Sequence, residues 1–144
     1  MAVAHILRQK GSAVITVSPE DNVQTIVDTL ARHRIGAVVV VDGSGAISGI
    51  VSERDVVRAM AGSGAGVLNR KAREIMTAKV RTCSPSDSEA ELMQLMTENR
   101  IRHLPVVANG KLAGMVSIGD VVKLRIESIE REAEEMKTYI ASAG

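Results

Sequence analysis

The sequence predicts an α/β fold in which two β-α-β-β-α repeats pack as a pseudo-two-fold pair and a C-terminal helical extension follows. Three observations predict it. A long internal repeat divides the chain into two similar halves. Each half alternates short β-branched runs with segments whose apolar residues recur at helical spacing. Because the chain has one Tyr and no Phe or Trp, its core must consist of aliphatic side chains and Met.

The internal repeat emerges when residues 14–41 are placed over residues 80–107, an offset of 66. Nine positions are identical, including a Ser-Pro pair and an Arg-Ile pair. After the next turn the offset becomes 65, and AISGIVSERDVV then lies over KLAGMVSIGDVV with six further identities. Fifteen identities in 40 aligned positions, with one single-residue gap, establish a tandem repeat.

The elements follow in the same order within each repeat. A short extended piece, VITV or VRTC, ends at Ser-Pro, where Ser18 or Ser84 is placed to cap the following helix. AVVVV and LPVV then predict buried strands, and DGSG and ANGK predict hairpin turns. A further strand leads into a helix through the phrase Gly-x-Val-Ser-x-x-Asp-Val-Val, at residues 49–57 and 114–122.

These patterns also predict the domain boundaries. The first repeat covers residues 3–61 and the second covers residues 72–125, and each begins with a short helical lead-in, AHIL or AREIM. The segment between them, residues 62–71, contains GSGAG, which is typical of a flexible connector. Residues 126–144 form the helical extension.

The repeated Ser-x-x-Asp spacing has one purely structural explanation. Ser52 and Ser117 can cap the helices that follow them, while Asp55 and Asp120 favour the positive end of the helix dipole. Capping alone does not require the same nine-residue phrase twice. A carboxylate at a helix start can also accept hydrogen bonds from a ligand, and the helix N–H groups suit an anion. The two explanations are compatible.

The order of elements, the RIRHLPVV phrase and the two Gly-x-Val-Ser-x-x-Asp phrases resemble cystathionine-β-synthase (CBS) domains. Two in tandem are similar to a CBS pair, also called a Bateman module, over about residues 3–125. The resemblance implies one flattened body with two clefts for adenosine-containing ligands: AMP, ADP or ATP, and sometimes S-adenosylmethionine or NAD. It also implies a sensing role, here without an attached catalytic or transport segment.

The resemblance further implies which residues line the clefts. Cleft one, named for the carboxylate of the first repeat, is expected to contain Ser52, Arg54, Asp55 and Ile101. Cleft two, named for the carboxylate of the second repeat, is expected to contain Ile35, Gly36, Arg102, His103, Ser117 and Asp120. Main-chain contacts to the base are expected near the start of each first strand, from Ser12, Ala13, Ala78 and Lys79.

The expected roles differ between the two clefts. Asp55 and Asp120 would accept from the ribose, whereas Arg102 and His103 would donate to phosphate unless they are ordinary solvated surface groups. Repeat two has Arg-His where repeat one has Gly-Ala, and repeat one has Glu-Arg after its Ser where repeat two has Ile-Gly. The sequence therefore does not predict that both clefts bind ligand equally.

Composition argues against several other classes of protein. Lys plus Arg number 18 and Asp plus Glu number 17, so the basic footprint of a nucleic-acid binder is absent from the sequence. No apolar run approaches the roughly 20 residues that a membrane helix needs, and the N-terminal sequence does not resemble a signal peptide. The chain has a single cysteine, Cys83, so it contains no internal disulfide and fits a reducing cytoplasm. We expect Cys83 to be a small buried residue. The sequence thus predicts a cytoplasmic protein.

No metal-ligand spacing and no nucleophile–base pair stand out, so we expect neither an enzyme nor a catalytic cofactor. We expect a regulatory module whose ligand is an adenine nucleotide, above all AMP, and which signals to an unidentified target protein by a change of shape or association. Two alternatives remain open at this point. One is a structural dimerisation module with empty clefts, and the other is an S-adenosylmethionine sensor.

The chain ends in a second pattern. Apolar residues recur at alternating spacings of 4 and 3, the heptad rhythm of helices that associate, at Val122, Ile126, Ile129, Ala133, Met136 and Ile140. The stripe could pack on the core of its own chain. Five turns are long for that role, and the resemblance implies association in twos, so we expect a homodimer supported by this helix.

Overall fold

A computed structural model describes residues 1–143 and shows two small sheets with helices around them. The first half contains, in chain order, α1 (Val3–Lys10), β1 (Thr16–Val17), α2 (Val23–His33), β2 (Ala37–Val41), β3 (Ile47–Ser52) and α3 (Glu53–Ser63). The second half contains a 3-10 helix (Gly64–Asn69), α4 (Ala72–Ile75), α5 (Glu89–Asn99), β4 (His103–Ala108), β5 (Lys111–Ser117) and α6 (Ile118–Ala143). The predicted α/β class and its C-terminal helix are confirmed.

The register of the two hairpins positions the site. β2 and β3 pair antiparallel with Ala37 opposite Ser52, and β4 and β5 pair antiparallel with His103 opposite Ser117. In both repeats, the start of the first hairpin strand therefore lies beside the serine that precedes a helix. The connecting turn in the second repeat has positive φ at Asn109 (53°) and Gly110 (74°), as a type I′ turn requires.

The first strand of each repeat is shorter than its sequence predicts. β1 has two residues and runs parallel to β2. In the second repeat the VRTC segment makes a single parallel bridge, between Cys83 and Val106.

The Ser-Pro pairs do not cap the following helices as the sequence predicts. The N-cap of α2 is Asn22, which accepts from the backbone N–H of Thr25 at 2.8 Å, and the N-cap of α5 is Ser88. Ser18 and Ser84 instead begin a turn four residues before each N-cap. In this turn the backbone N–H of Ser18 donates to the Asp21 carboxylate, and that of Ser84 donates to the Asp87 carboxylate. The prediction was wrong because the proline belongs to this turn and not to the first turn of the helix.

The two repeats have separate hydrophobic cores, and each core is completed by a lead-in helix from the other repeat. Val3 and Ile6 of α1 are buried in the core of repeat two, while Ala72 of α4 is buried in the core of repeat one. Backbone hydrogen bonds fix the exchange. The N–H of Val3 donates to the carbonyl of Asp87 at 2.9 Å, and that of Ala72 donates to the carbonyl of Asp21 at 2.7 Å.

The glycine of the repeated phrase makes this exchange possible. A methyl group at Gly49 would lie 2.7 Å from the sulfur of Met76 and 2.8 Å from the carbonyl oxygen of Thr77. A methyl group at Gly114 would lie 2.5 Å from a terminal carbon of Leu7. At Gly49 the neighbour includes a backbone oxygen that cannot turn away, so glycine lets the second lead-in lie directly on β3. At Gly114 the neighbour is the end of the Leu7 side chain, which would have to shift to admit a methyl group.

The connector and the extension are more regular than predicted. Residues 62–71 are not the flexible segment that their glycines indicate, because α3 continues to Ser63, a 3-10 helix follows, and Val67 within it is fully buried. The predicted boundary at residue 126 lies inside α6, which is one helix of 26 residues. Within residues 1–143, no helix combines the length and the apolar character needed to span a bilayer.

The exchange of lead-ins predicts the effect of filling the glycine space. Gly49→Ala should lower the free energy of unfolding by about 1–3 kcal/mol, the usual cost of overpacking, although alanine is normally better than glycine in a strand. Gly43→Ala is the matched control, because nothing lies within 4 Å of the methyl group it would add. Urea unfolding of both variants measures the difference. Equal stabilities would contradict the close packing of β3 against the second lead-in.

Candidate functional site

Both copies of Ser-x-x-Asp form reciprocal capping boxes, so the structural explanation of the phrase holds in each repeat. The Ser52 hydroxyl accepts from the N–H of Asp55 at 3.3 Å, and Oδ2 of Asp55 accepts from the N–H of Ser52 at 2.8 Å. The Ser117 hydroxyl accepts from the N–H of Asp120 at 3.2 Å, and Oδ2 of Asp120 accepts from the N–H of Ser117 at 2.9 Å. Both boxes use Oδ2, so Oδ1 of each carboxylate lies outside the box.

Each carboxylate also meets a side chain from the lead-in of the other repeat. The Thr77 hydroxyl donates to Oδ1 of Asp55 at 3.2 Å. The ammonium group of Lys10 donates to Oδ2 of Asp120 at 2.7 Å and to the carbonyl oxygen of Met115 at 3.1 Å. The exchange therefore gives the first carboxylate a neutral partner and the second a cationic one.

The cationic partner affects the charge state of Asp120. Burial raises the pKa of this carboxyl, but hydrogen bonds from Lys10 and from the Ser117 backbone outweigh burial and hold the pKa below its ordinary value. Asp120 is therefore ionised throughout the neutral pH range and forms an ion pair with Lys10 in which both side chains remain partly exposed.

Cleft one lies between α3, the second lead-in and the start of β4. All four residues that the sequence assigned to it, including Asp55 and Ile101, line this cleft. Its complete lining is Gly36, Ile50, Ser52, Glu53, Arg54, Asp55, Arg58, Thr77, Arg100, Ile101, Arg102 and His103.

Cleft one is strongly basic. Four arginines line it against two carboxylates, those of Glu53 and Asp55. Within residues 1–143, every ion pair involves other groups, so none of these four guanidinium groups has a carboxylate partner. Like charges held together without a counter-ion make this surface attractive to an anion.

Cleft two lies between the first lead-in, the loop before β2 and the strand β5. Its lining is Lys10, Ala13, Val14, Ile15, Arg34, Ile35, Gly36, Ala37, His103, Met115 and Ser117. Ile35, Gly36, His103 and Ser117 line this cleft as the sequence predicts. Asp120 is not among the lining residues, but it is bonded to two of them, Lys10 and Ser117.

Four other predicted residues are also placed differently. Arg102 lines cleft one and not cleft two. Ser12, Ala78 and Lys79 are exposed and line neither cleft. The exchange explains the placement of Ala78 and Lys79, because it brings Thr77 and not these two residues against the carboxylate of Asp55.

His103 borders both clefts and lies directly over Gly36. A methyl group at Gly36 would lie 3.0 Å from two atoms of the His103 ring and 3.2 Å from a carboxylate oxygen of Glu53. Burial lowers the pKa of His103, helped by the positive charges of Lys10 and Arg102, while Glu53 and Asp120 act in the opposite direction. The net pKa lies below the ordinary value, so the imidazole is neutral at pH 7.

Several polar groups at the clefts were not predicted from the sequence, among them Lys10, Arg58, Thr77 and Arg100. Two of them had a signal. Arg58 follows Arg54 by one helical turn. Arg100 aligns with Arg34 of the first repeat, and Arg34 lines cleft two. Lys10 and Thr77 had none, because the repeat alone does not show that the lead-ins exchange.

The apolar stripe of α6 is the second candidate surface. Ile126, Ile129 and Met136 are 52%, 49% and 59% exposed, so the stripe does not pack on the core of its own chain. The residues of this helix that are buried lie on another face, at Val121, Leu124 and Ser128.

Other reactive groups have structural surroundings. Cys83 is buried, and burial, with a contribution from Asp87, raises the pKa of its thiol to about 12. The thiol is therefore protonated and unreactive at neutral pH. Within residues 1–143, no group of three or more histidine, cysteine, aspartate or glutamate side chains is arranged to hold a metal ion.

The fold and the paired clefts define a class: a tandem module whose two repeats share their lead-ins and enclose two related sites. The CBS domain family model matches residues 4–62 and again residues 72–127. The chain belongs to the CBS domain family.

Known proteins of this family resemble the chain over most of its length. A CBS-domain-containing protein of Agrobacterium tumefaciens has a crystal structure with 46% identity and a TM-score of 0.84, which covers 86% of this chain and 92% of that one. The mitochondrial CBS domain-containing protein CBSX3 of Arabidopsis thaliana is 34% identical over 146 residues, 96% of this chain and 71% of its own length. A CBS domain protein of Pyrobaculum aerophilum, solved in complex with AMP, has 26% identity and a TM-score of 0.74, covering 83% of this chain and 89% of that one.

The lowered pKa of His103 predicts how stability depends on pH. The unfolded chain protonates this histidine near pH 6.5 and the folded chain only at lower pH, so the stability it contributes is complete above about pH 6.5 and is lost as pH falls through the folded pKa. Urea unfolding at pH 7.5 and at pH 5.5 should therefore show a smaller loss for His103→Gln than for the native protein. The other two histidines are present in both proteins and cancel in this comparison. Identical losses would contradict the burial of a neutral imidazole.

Proposed function

We propose that the protein is a regulatory module that binds adenosine-containing nucleotides in clefts one and two and signals through a change of shape or association. One observation carries the proposal. In cleft one, a carboxylate at a helix start lies beside arginines from both repeats that form no ion pair within residues 1–143. The carboxylate suits the ribose hydroxyls of a nucleotide, and the arginines suit its phosphate. A relative of the same fold is known in complex with AMP.

The carboxylate would bind the ribose. Oδ2 of Asp55 serves the helix cap, whereas Oδ1 accepts, within residues 1–143, only from Thr77, at the long distance of 3.2 Å. A carboxylate oxygen has two lone pairs, so Oδ1 can accept a further bond from a ribose hydroxyl. Capping and ligand binding thus use different atoms of the same side chain.

The arginines would bind phosphate. Guanidinium groups bind phosphate oxygens in pairs of parallel hydrogen bonds, and Arg54, Arg58, Arg100 and Arg102 line one cleft. AMP satisfies this arrangement, and ADP, ATP and NAD share its chemistry. S-adenosylmethionine carries a positive sulfonium and no phosphate, so the charge of cleft one disfavours it. NAD and the adenine nucleotides are therefore the favoured class.

The base would lie on the apolar side chains. Ile50 and Ile101 line cleft one, and Ile15, Ile35 and Met115 line cleft two. Aliphatic walls on both sides of a slot favour a flat ring through apolar burial without requiring an aromatic partner.

We also propose a homodimer that α6 supports. The exposed stripe would be covered by the same stripe of a second copy. Charges beside it suit that partner, because Glu132 and Lys137 occupy flanking positions that meet in a parallel pair of helices. A change in this association when ligand binds is one way in which the module would signal to a target protein.

The alternative is a structural dimerisation module with empty clefts. A ligand that binds only the folded state stabilises it by RT ln(1 + [L]/Kd), about 2.7 kcal/mol at a hundredfold excess. Thermal unfolding with AMP, ATP, NAD, S-adenosylmethionine and no addition separates the alternatives. The proposal requires a rise in Tm with nucleotides, and no rise with any of the four would support the structural module.

Loss of the first carboxylate should weaken nucleotide binding. Asp55→Ala should weaken the binding of AMP in cleft one by roughly 1.5–3 kcal/mol, the scale of a hydrogen bond to a charged group. This corresponds to a Kd about 10- to 150-fold higher. Calorimetry with AMP measures it, and adenosine should show the same proportional loss because it has the same ribose.

The capping box provides the control for this experiment. Ser52→Ala removes the hydroxyl that caps α3 and should cost about 0.5–2 kcal/mol of stability while the carboxylate remains. If Asp55→Ala lowers stability as Ser52→Ala does but leaves the affinity for AMP unchanged, the aspartate only caps the helix and its proposed role is wrong.

A charge on the stripe should weaken the dimer. Ile129→Glu places a carboxylate in the centre of the proposed contact, where each buried isoleucine would contribute up to about 1.5–3 kcal/mol. Light scattering should find the native protein as a dimer and the variant shifted towards monomer at the same concentration.

Thr138→Glu is the matched control for this variant. It adds the same charge to the same helix outside the apolar stripe and should leave the dimer intact. A monomeric native protein would refute the dimer. A dimer that Ile129→Glu leaves unchanged would show that association runs through another surface.

A further inference from the structure

We propose that Lys10 competes with ligand for Asp120, so that cleft one fills before cleft two. This inference rests on the proposed function and adds an order of occupancy to it. The competitor is part of the chain itself, at the end of the exchanged helix α1.

The two carboxylates differ in what a ligand must replace. Asp120 accepts two bonds on Oδ2, from the Lys10 ammonium at 2.7 Å and from the Ser117 backbone at 2.9 Å. At Asp55 the group from the other repeat is only the Thr77 hydroxyl at 3.2 Å. Hydrogen bonds between two ionised groups are shorter and about twice as strong as neutral ones. A ribose hydroxyl therefore meets a stronger rival in cleft two.

The charge of Lys10 weakens ligand binding even if the ligand approaches Oδ1 and leaves the bond from Lys10 to Oδ2 in place. A ribose hydroxyl that approached Oδ1 of Asp120 would find a carboxylate whose charge is already balanced at close range. Asp55 forms no ion pair within residues 1–143, so no cation within ion-pair distance competes with a donor for its carboxylate. The same ligand should consequently bind more tightly in cleft one.

Lys10 can leave Asp120 without disturbing the core. It is the last residue of α1, whereas Val3 and Ile6 near the other end of this helix hold it in the core of repeat two. The side chains of Lys10 and Asp120 are 40% and 24% exposed, so solvent limits the strength of their ion pair. Competition should accordingly lower the affinity of cleft two moderately and leave the site usable.

The experiment isolates cleft two. In an Asp55→Ala background, adenosine binding is measured by calorimetry, since adenosine has no phosphate that Lys10 could attract. Adding Lys10→Met, which keeps the length of the side chain and removes its charge, should lower the Kd for adenosine by roughly three- to tenfold, equivalent to about 0.7–1.4 kcal/mol. Lys10→Arg should leave the Kd near its original value.

Lys111→Met is the matched control, because this exposed lysine at the start of β5 lines neither cleft. It should not change the Kd. An unchanged or higher Kd in Lys10→Met would overturn the competition, as would two equal sites for adenosine in the native protein, and both results would leave the proposed function standing. Absence of binding by the native protein for both adenosine and AMP would instead refute the proposed function together with this inference.

Discussion

Each hydrophobic core is completed by a helix from the other repeat, and both clefts depend on this exchange. Val3 and Ile6 enter the core of repeat two, and Ala72 enters that of repeat one. Each repeat thus buries part of its apolar face against the lead-in of the other repeat. The exchange also carries Lys10 and Thr77 across to the carboxylates, which makes the geometry of both sites a consequence of core packing.

The repeated nine-residue phrase is explained by this arrangement, one residue at a time. Its glycine lets the exchanged lead-in lie on the strand, and the valine before the serine is fully buried in both repeats. Its serine and aspartate close a capping box at the start of the helix. The first valine after the aspartate returns to the core. Oδ1 of each carboxylate lies outside the box, and we propose that it accepts from a ligand. Under that proposal the short phrase serves packing, capping and ligand binding together.

Patterns with a local physical cause could be predicted from the sequence. The tandem repeat, the hairpin with Asn109 and Gly110, and the exposed stripe of α6 follow from spacing and turn chemistry. Predictions that needed the path of the chain in space were less accurate. Arg102 lines cleft one and not cleft two, which the alignment of the two repeats could not show. The contribution of Lys10 could not be predicted, because nothing in the repeat shows which core receives α1.

The central claim is that the clefts beside the two carboxylates bind an adenine nucleotide. Titration of isotope-labelled protein with AMP, followed by the backbone amide resonances, tests it most directly, because it reports the location of the ligand as well as its affinity. The account predicts saturable shifts first at Ser52, Thr77 and Ile101 in cleft one, and at Ser117 only at higher concentrations of AMP. Unchanged resonances at millimolar AMP, or shifts confined to residues 126–143, would contradict it.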